Sequence, residues 1–124
     1  MVASKYVDSE TLNYIAVGQI TKLAKANTGF WAEVRAYDSL VLTDGAREVI
    51  VKVDKIGYFG DFGEAWFTEG EQILFPYTKE SISTMAEANS IYKRFHPPPK
   101  DPIGIVVATF HFIAMYNFNA SDIS

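Results

Sequence analysis

Thr21, Lys22, Lys25, Trp31 and Arg35 fall within one short stretch, and their side chains combine into a single chemistry. Two amines and a guanidinium make an anion-binding rim, Thr21 adds a hydroxyl, and Trp31 with Phe30 offers aromatic faces that accept any base. That set fits RNA or a nucleotide-like small ligand. The plainer alternative is a few surface cations beside aromatics that fill a core, and residue types alone leave both open. Lys93 and Arg94 pose the same choice: an RNA-facing pair, or two cations suited to a helix C-terminus.

Other chemistries are poorly supplied. The chain has no cysteine, which excludes disulfides, thiol catalysis and thiolate metal sites. Its two histidines, His96 and His111, are far apart and lack ligand spacing, so no metal and no cofactor is expected. His111 lies in an apolar segment and reads as a satisfied core histidine, and His96 reads as a helix-end residue. Thr109 and Ser39 have no base nearby in sequence, so neither is a nucleophile candidate. Glu33 and Arg35 read as an ion pair on one strand face, and Glu64 and Glu69 as part of a solvated acidic face.

The elements that must position these residues come from a chain of 124 residues, whose length sets the expectation of one domain. Its core is expected over about residues 8–113, with a frayed tail over 117–124. At 48% apolar and 21% charged residues, the composition is globular rather than disordered. The net charge of −4 is unevenly spread: the first 55 residues balance, residues 56–90 are acidic, and the last third is slightly basic. Wholesale binding of duplex DNA needs many phosphate contacts that this balance does not provide. An acidic 56–90 segment leaves room for a basic protein partner. No leader and no membrane-spanning run is read, and a cytoplasmic location is expected.

Asp8-Ser9-Glu10-Thr11 opens a helix carrying Leu12, Ile15 and Ala16, and Gly18 stops it. Gln19 to Lys25 reads as a short strand, and Trp31 to Leu42 as extended with a turn near Tyr37-Asp38-Ser39. Asp44-Gly45 is the clearest hairpin turn. Beyond it Val49, Val51 and Val53 alternate with Glu48, Ile50, Lys52 and Asp54, as a half-buried strand does. Glu64 to Thr68 predicts a short helix, and Glu80 to Phe95 the longest, with Ile82, Met85, Ala86, Asn89 and Tyr92 on one stripe. Pro97-Pro98-Pro99 ends it. Ile103 to Phe112 reads as a central strand. The sum is an α+β fold with strands curled into an open barrel.

In this order the chain resembles an ASCH domain, a small barrel related to the RNA-binding PUA family. Tyr37-Asp38-Ser39-Leu40-Val41-Leu42 stands where the family begins a strand with Gly-Asp, tyrosine replacing glycine. Arg47 to Val53 is similar to its Val-rich strand, Tyr58-Phe59-Gly60-Asp61-Phe62 to its aromatic segment, and Leu74-Phe75-Pro76 to its Pro-containing stretch. Tyr92-Lys93-Arg94-Phe95 followed by Gly104-Ile105-Val106-Val107 is the strongest match. The resemblance implies a PUA-like open β-barrel of about five or six strands with one long and two short helices.

The family signature Gly-x-Lys-x-x-Glu-x-Arg is altered. Aligned on Gly18 it places Ile20 at the lysine, Leu23 at the glutamate and Lys25 at the arginine. A second register on Gly29 supplies Glu33 and Arg35 but is one residue short. Some ASCH proteins are acetylcytidine amidohydrolases, for which the resemblance implies a signature lysine and threonine with a distal glutamate. Here only Glu80 falls near its place, as a catalytic residue if the chain is an enzyme. The expectation is therefore a non-catalytic module binding RNA or a nucleotide-like ligand through Thr21, Lys22, Lys25, Trp31 and Arg35. The alternatives are a hydrolase of a modified nucleoside or of RNA, and a protein-interaction domain using the acidic 56–90 segment.

Overall fold

The structure, a computed structural model of the chain, describes residues 4–75, 77–78, 81–95 and 103–117. In order these form β1 (Ser4–Tyr6), α1 (Ser9–Ala16), β2 (Lys22–Ala26), α2 (Gly29–Glu33), β3 (Ser39–Thr43), β4 (Arg47–Phe59), α3 (Phe62–Glu69), a 3₁₀ turn (Glu71–Leu74), α4 (Met85–Phe95) and β5 (Ile105–Asn117). The strand order is β1-β3-β4-β5-β2, and the sheet is not closed. The fold is α+β on a five-stranded open sheet. Among the described residues, no helix is long and apolar enough to cross a membrane.

The chain divides into two compact units: Met1–Thr21, Arg35–Lys55 and Thr109–Ser124 form the first, and Lys22–Val34 and Ile56–Ala108 the second. In the first, α1 starts where the sequence predicts. Asp8 caps it, accepting from Thr11 N–H at 2.8 Å and Thr11 Oγ1 at 2.7 Å. It ends in a paired glycine cap, with Gly18 N–H donating to Ile15 O at 3.1 Å and Gln19 N–H to Tyr14 O at 2.9 Å. The β3–β4 hairpin runs antiparallel from Ser39↔Lys52 to Thr43↔Glu48. Period-two spacing puts Leu40, Leu42, Val49, Val51 and Val53 in the core, each buried valine contributing roughly 1.5–3 kcal/mol. β1 adds in parallel to β3, from Ser4↔Val41 to Tyr6↔Thr43.

In the second unit Phe62, Ala65, Ile73, Leu74, Tyr77, Ala88, Ile91 and Val107 form the core. The α3–α4 contact is set by Gly63, where a Cβ would lie 2.6 Å from the Met85 carbonyl oxygen. Gly63 N–H donates to Asn89 Oδ1 at 2.8 Å across this contact. Any larger residue at 63 would force the helices apart.

Two stretches differ from the sequence reading. Residues 31–42 are not continuously extended: Gly29–Glu33 is helical, a turn follows, and only Ser39–Thr43 is strand. The buried pair there is Trp31 and Val34, three residues apart, which is helical rather than alternating spacing. Glu33 and Arg35 consequently share no strand face. The long helix begins at Met85, not Glu80. Thr84 caps it, its Oγ1 accepting from Glu87 N–H at 3.1 Å and donating to Glu87 Oε1 at 3.1 Å. The buried stripe of α4 is Ala88 and Ile91, while Met85 is exposed. Glu80, His96 and Pro97-Pro98-Pro99 lie outside the described residues.

Candidate functional site

In the first unit the chain enters β3 through the turn Arg35-Ala36-Tyr37-Asp38. Asp38 Oδ2 accepts from Arg35 N–H at 2.8 Å, and Asp38 N–H donates to Arg35 O at 3.2 Å. Tyr37 N–H donates to Val53 O and Val53 N–H to Asp38 O, both at 2.8 Å, so β4 grips the turn from the other side. The result is an unusual backbone. Tyr37 has φ +74°, the one non-glycine residue at positive φ among those described. A bulky residue there costs about 1–2 kcal/mol, because Cβ crowds the carbonyl oxygen. Its ring gains no burial in return: Tyr37 is 76% exposed, and Arg35 is exposed beside it.

One residue along β4 from Val53, Asp54 Oδ1 lies 2.8 Å from His111 Nδ1. A carboxylate in its ionised form only accepts, so this contact suits the tautomer with the hydrogen on Nδ1, which leaves Nε2 the acceptor nitrogen of a neutral ring. Both side chains are half exposed, 52% for His111 and 50% for Asp54. This corrects the reading of His111 as a core residue. Burial along β5 ends at Phe110, and His111 is the first residue beyond it. Thr109, two positions earlier and on the same strand face, buries its hydroxyl oxygen with no hydrogen-bond partner among the described residues.

The other sequence-predicted residues are placed as follows. Thr21 joins Arg35 in the first unit; it is half-buried, and its carbonyl accepts from Phe110 N–H at 2.9 Å. Lys22, Lys25 and Trp31 belong to the second unit. Lys22 Nζ lies 3.3 Å from Glu69 Oε1 and 3.2 Å from Glu69 O, tying β2 to the end of α3. Glu69 is therefore a structural partner rather than part of a freely solvated face. Lys25 is half-buried on β2. Trp31 is 5% exposed, with the Phe30 ring edge-on at 5.1 Å, so its faces are covered where base stacking requires them open.

Lys93 and Arg94 occupy the last turn of α4, where cations suit the helix dipole. Beside them lies an aromatic cluster: Phe62 stacks on Tyr92 at 4.8 Å, and Tyr77 meets Tyr92 edge-on at 5.4 Å. Tyr77 Oη donates to Ala24 O at 2.8 Å. Burial pushes the Tyr77 phenol far above its ordinary value, with Tyr92 adding to it, and burial raises Tyr92 as well. Both are neutral packing groups, not acids or bases at ordinary pH.

Tyr37 was not among the site residues read from the sequence, which marked a turn near Tyr37-Asp38-Ser39 but not its backbone φ.

The fold has solved counterparts. The chain is similar to a hypothetical protein, PH0355, with TM-score 0.73 and 19% identity over 91% of this chain and all of that one. It is also similar to the protein PF0455 from Pyrococcus furiosus, with TM-score 0.68 and 19% identity over 91% of this chain and 98% of that one. At this identity the likeness shows the fold alone. No family model matches the chain, and no curated protein matches it.

Proposed function

We propose that this chain is a small, ASCH-like, non-catalytic binding module for single-stranded RNA or a nucleotide-like ligand. In this reading the Tyr37 ring stacks on a base and the Arg35 guanidinium contacts a neighbouring phosphate. The observation that carries the reading is Tyr37: an exposed aromatic held at positive φ, with strain that no packing offsets. Strained backbone of this kind collects at ligand-contacting sites, where the surroundings over-determine it. Here the Asp38 side chain and the two bonds to Val53 do so.

The test is a fluorescence-anisotropy titration with a short labelled single-stranded RNA and with a nucleotide competitor. Tyr37→Ala should lower affinity by about 5- to 150-fold, the range for one lost base–aromatic stack. Arg35→Ala should weaken binding and shallow the log affinity against log salt slope by about 0.7, the value for one phosphate on a single strand. Unchanged affinity in both variants removes the proposal.

One observation favours a second reading, that of a hydrolase on a modified nucleoside or on RNA. A histidine oriented by a carboxylate through Nδ1 has the arrangement of a general base. In this reading the base is His111 rather than Glu80. Turnover of acetylcytidine or RNA that is lost in His111→Ala supports it, and no turnover by the parent protein ends it.

A further inference from the structure

β5 has 13 residues, whereas β2, its neighbour on one side, has five. Contact on that side is followed to the bond from Phe110 N–H to Thr21 O; before Thr21 the chain is coil leading back to Gly18 and α1. Among the described residues, no strand therefore runs beside His111–Asn117 on the β2 side. Among the described residues, alternate N–H and C=O groups of this stretch have no ladder partner on that side. The side chains of the same stretch are exposed: Phe112 41%, Ile113 51%, Met115 41% and Tyr116 54%.

Soluble proteins ordinarily blunt an open edge with short strands, lysine, proline or a bulge. The opposite edge follows this rule, since β1 has three residues and carries Lys5. His111-Phe112-Ile113-Ala114-Met115-Tyr116-Asn117 does not: it has no lysine, arginine, acid, proline or glycine. Its pattern also says which strand fits it. Antiparallel pairing of the segment with itself, centred on Ala114, puts the smallest side chain at the two-fold axis. Ile113 then faces Met115 of the second copy, Phe112 faces Tyr116, and His111 faces Asn117. Aliphatic meets aliphatic, aromatic meets aromatic, and no like charges oppose. A charged strand from another protein would forfeit these matches.

We propose that His111–Asn117 is a dimerisation edge, through which two copies of this chain pair antiparallel about Ala114. The interaction extends the sheet by main-chain hydrogen bonds, and the matched side chains fix the register. It is independent of ligand binding at Tyr37.

The test is sedimentation equilibrium of the full chain, with circular dichroism to confirm folding. The parent protein should show a concentration-dependent dimer. The double variant Ile113→Lys with Met115→Lys sets like charges opposite each other twice and should raise the dimer dissociation constant by about tenfold or more. Ile113→Lys with Met115→Glu sets opposite charges in the same places and should restore the dimer. Both positions are exposed, so both variants are expected to fold. A parent protein monomeric throughout, or a dimer untouched by the paired lysines, overturns the proposal. Failure of the lysine–glutamate variant to restore a dimer that the paired lysines had broken overturns the register about Ala114.

Discussion

Two turns bracket β3, and each holds one residue at positive φ. After the strand, Gly45 takes φ +94°, a conformation glycine adopts without penalty. Its neighbour Asp44 gathers Ala46 N–H and Arg47 N–H, each at 2.9 Å, Ser9 Oγ at 2.8 Å and Arg47 Nη2 at 3.0 Å. Arg47 also reaches Asn13, so this turn binds α1 to the hairpin. Before the strand, Tyr37 takes φ +74° with a bulky side chain left in water. The first turn suits its sequence and serves the fold. The second works against its sequence, and on the proposed reading a ligand rather than folding accounts for the tyrosine there.

The largest change expected on breaking this comparison comes from Asp44→Ala, which strips the acceptor from four donors and loosens the tie between the turn and α1. Thermal melts should show a drop of several degrees. The same carboxylate sets an acid dependence. The Ala46 N–H, then the Ser9 hydroxyl and the Arg47 guanidinium, hold Asp44 well below its ordinary value of 3.8. Its folded value is depressed, so its contribution is present above the ordinary value and is lost as pH falls toward the folded one. Melting temperature should therefore decline below about pH 4 more steeply in the parent than in Asp44→Asn.

Gly45→Val should come next, costing about 1–2 kcal/mol, because a β-branched residue cannot adopt that φ without strain. Tyr37→Gly is smallest and opposite in sign. Relief of strain, offset in part by the freer unfolded chain, should stabilise the protein by up to about 1 kcal/mol. Chemical denaturation of the two glycine exchanges, side by side, reads the comparison directly.

Much of this was legible in the chain. Asp8 and Gly18 delimit α1 because capping and stop residues act locally, and Val49, Val51 and Val53 declare a strand by spacing alone. α4 starts at Met85 rather than Glu80 because the Thr84 hydroxyl caps it through Glu87, a local bond that the helical spacing of the apolar residues does not reveal. α2 is only five residues long, too short for periodicity to separate it from extended chain. Trp31 and Arg35 are close in sequence, yet one is buried in the second unit and the other exposed in the first. The pairing of Asp54 with His111 depends on strand register across 57 residues, which composition does not encode. For Tyr37 the sequence marked a turn, but residue type does not reveal backbone φ, so the strain was not legible there.

The most direct measurement pairs stability with binding in one variant: Tyr37→Gly, melted and then titrated with a labelled single-stranded RNA. Melting at or above the parent temperature, with affinity reduced about 5-fold or more, is the predicted result. Parent-level affinity in a protein of equal or greater stability would show that the strained tyrosine serves no ligand, and would contradict the account.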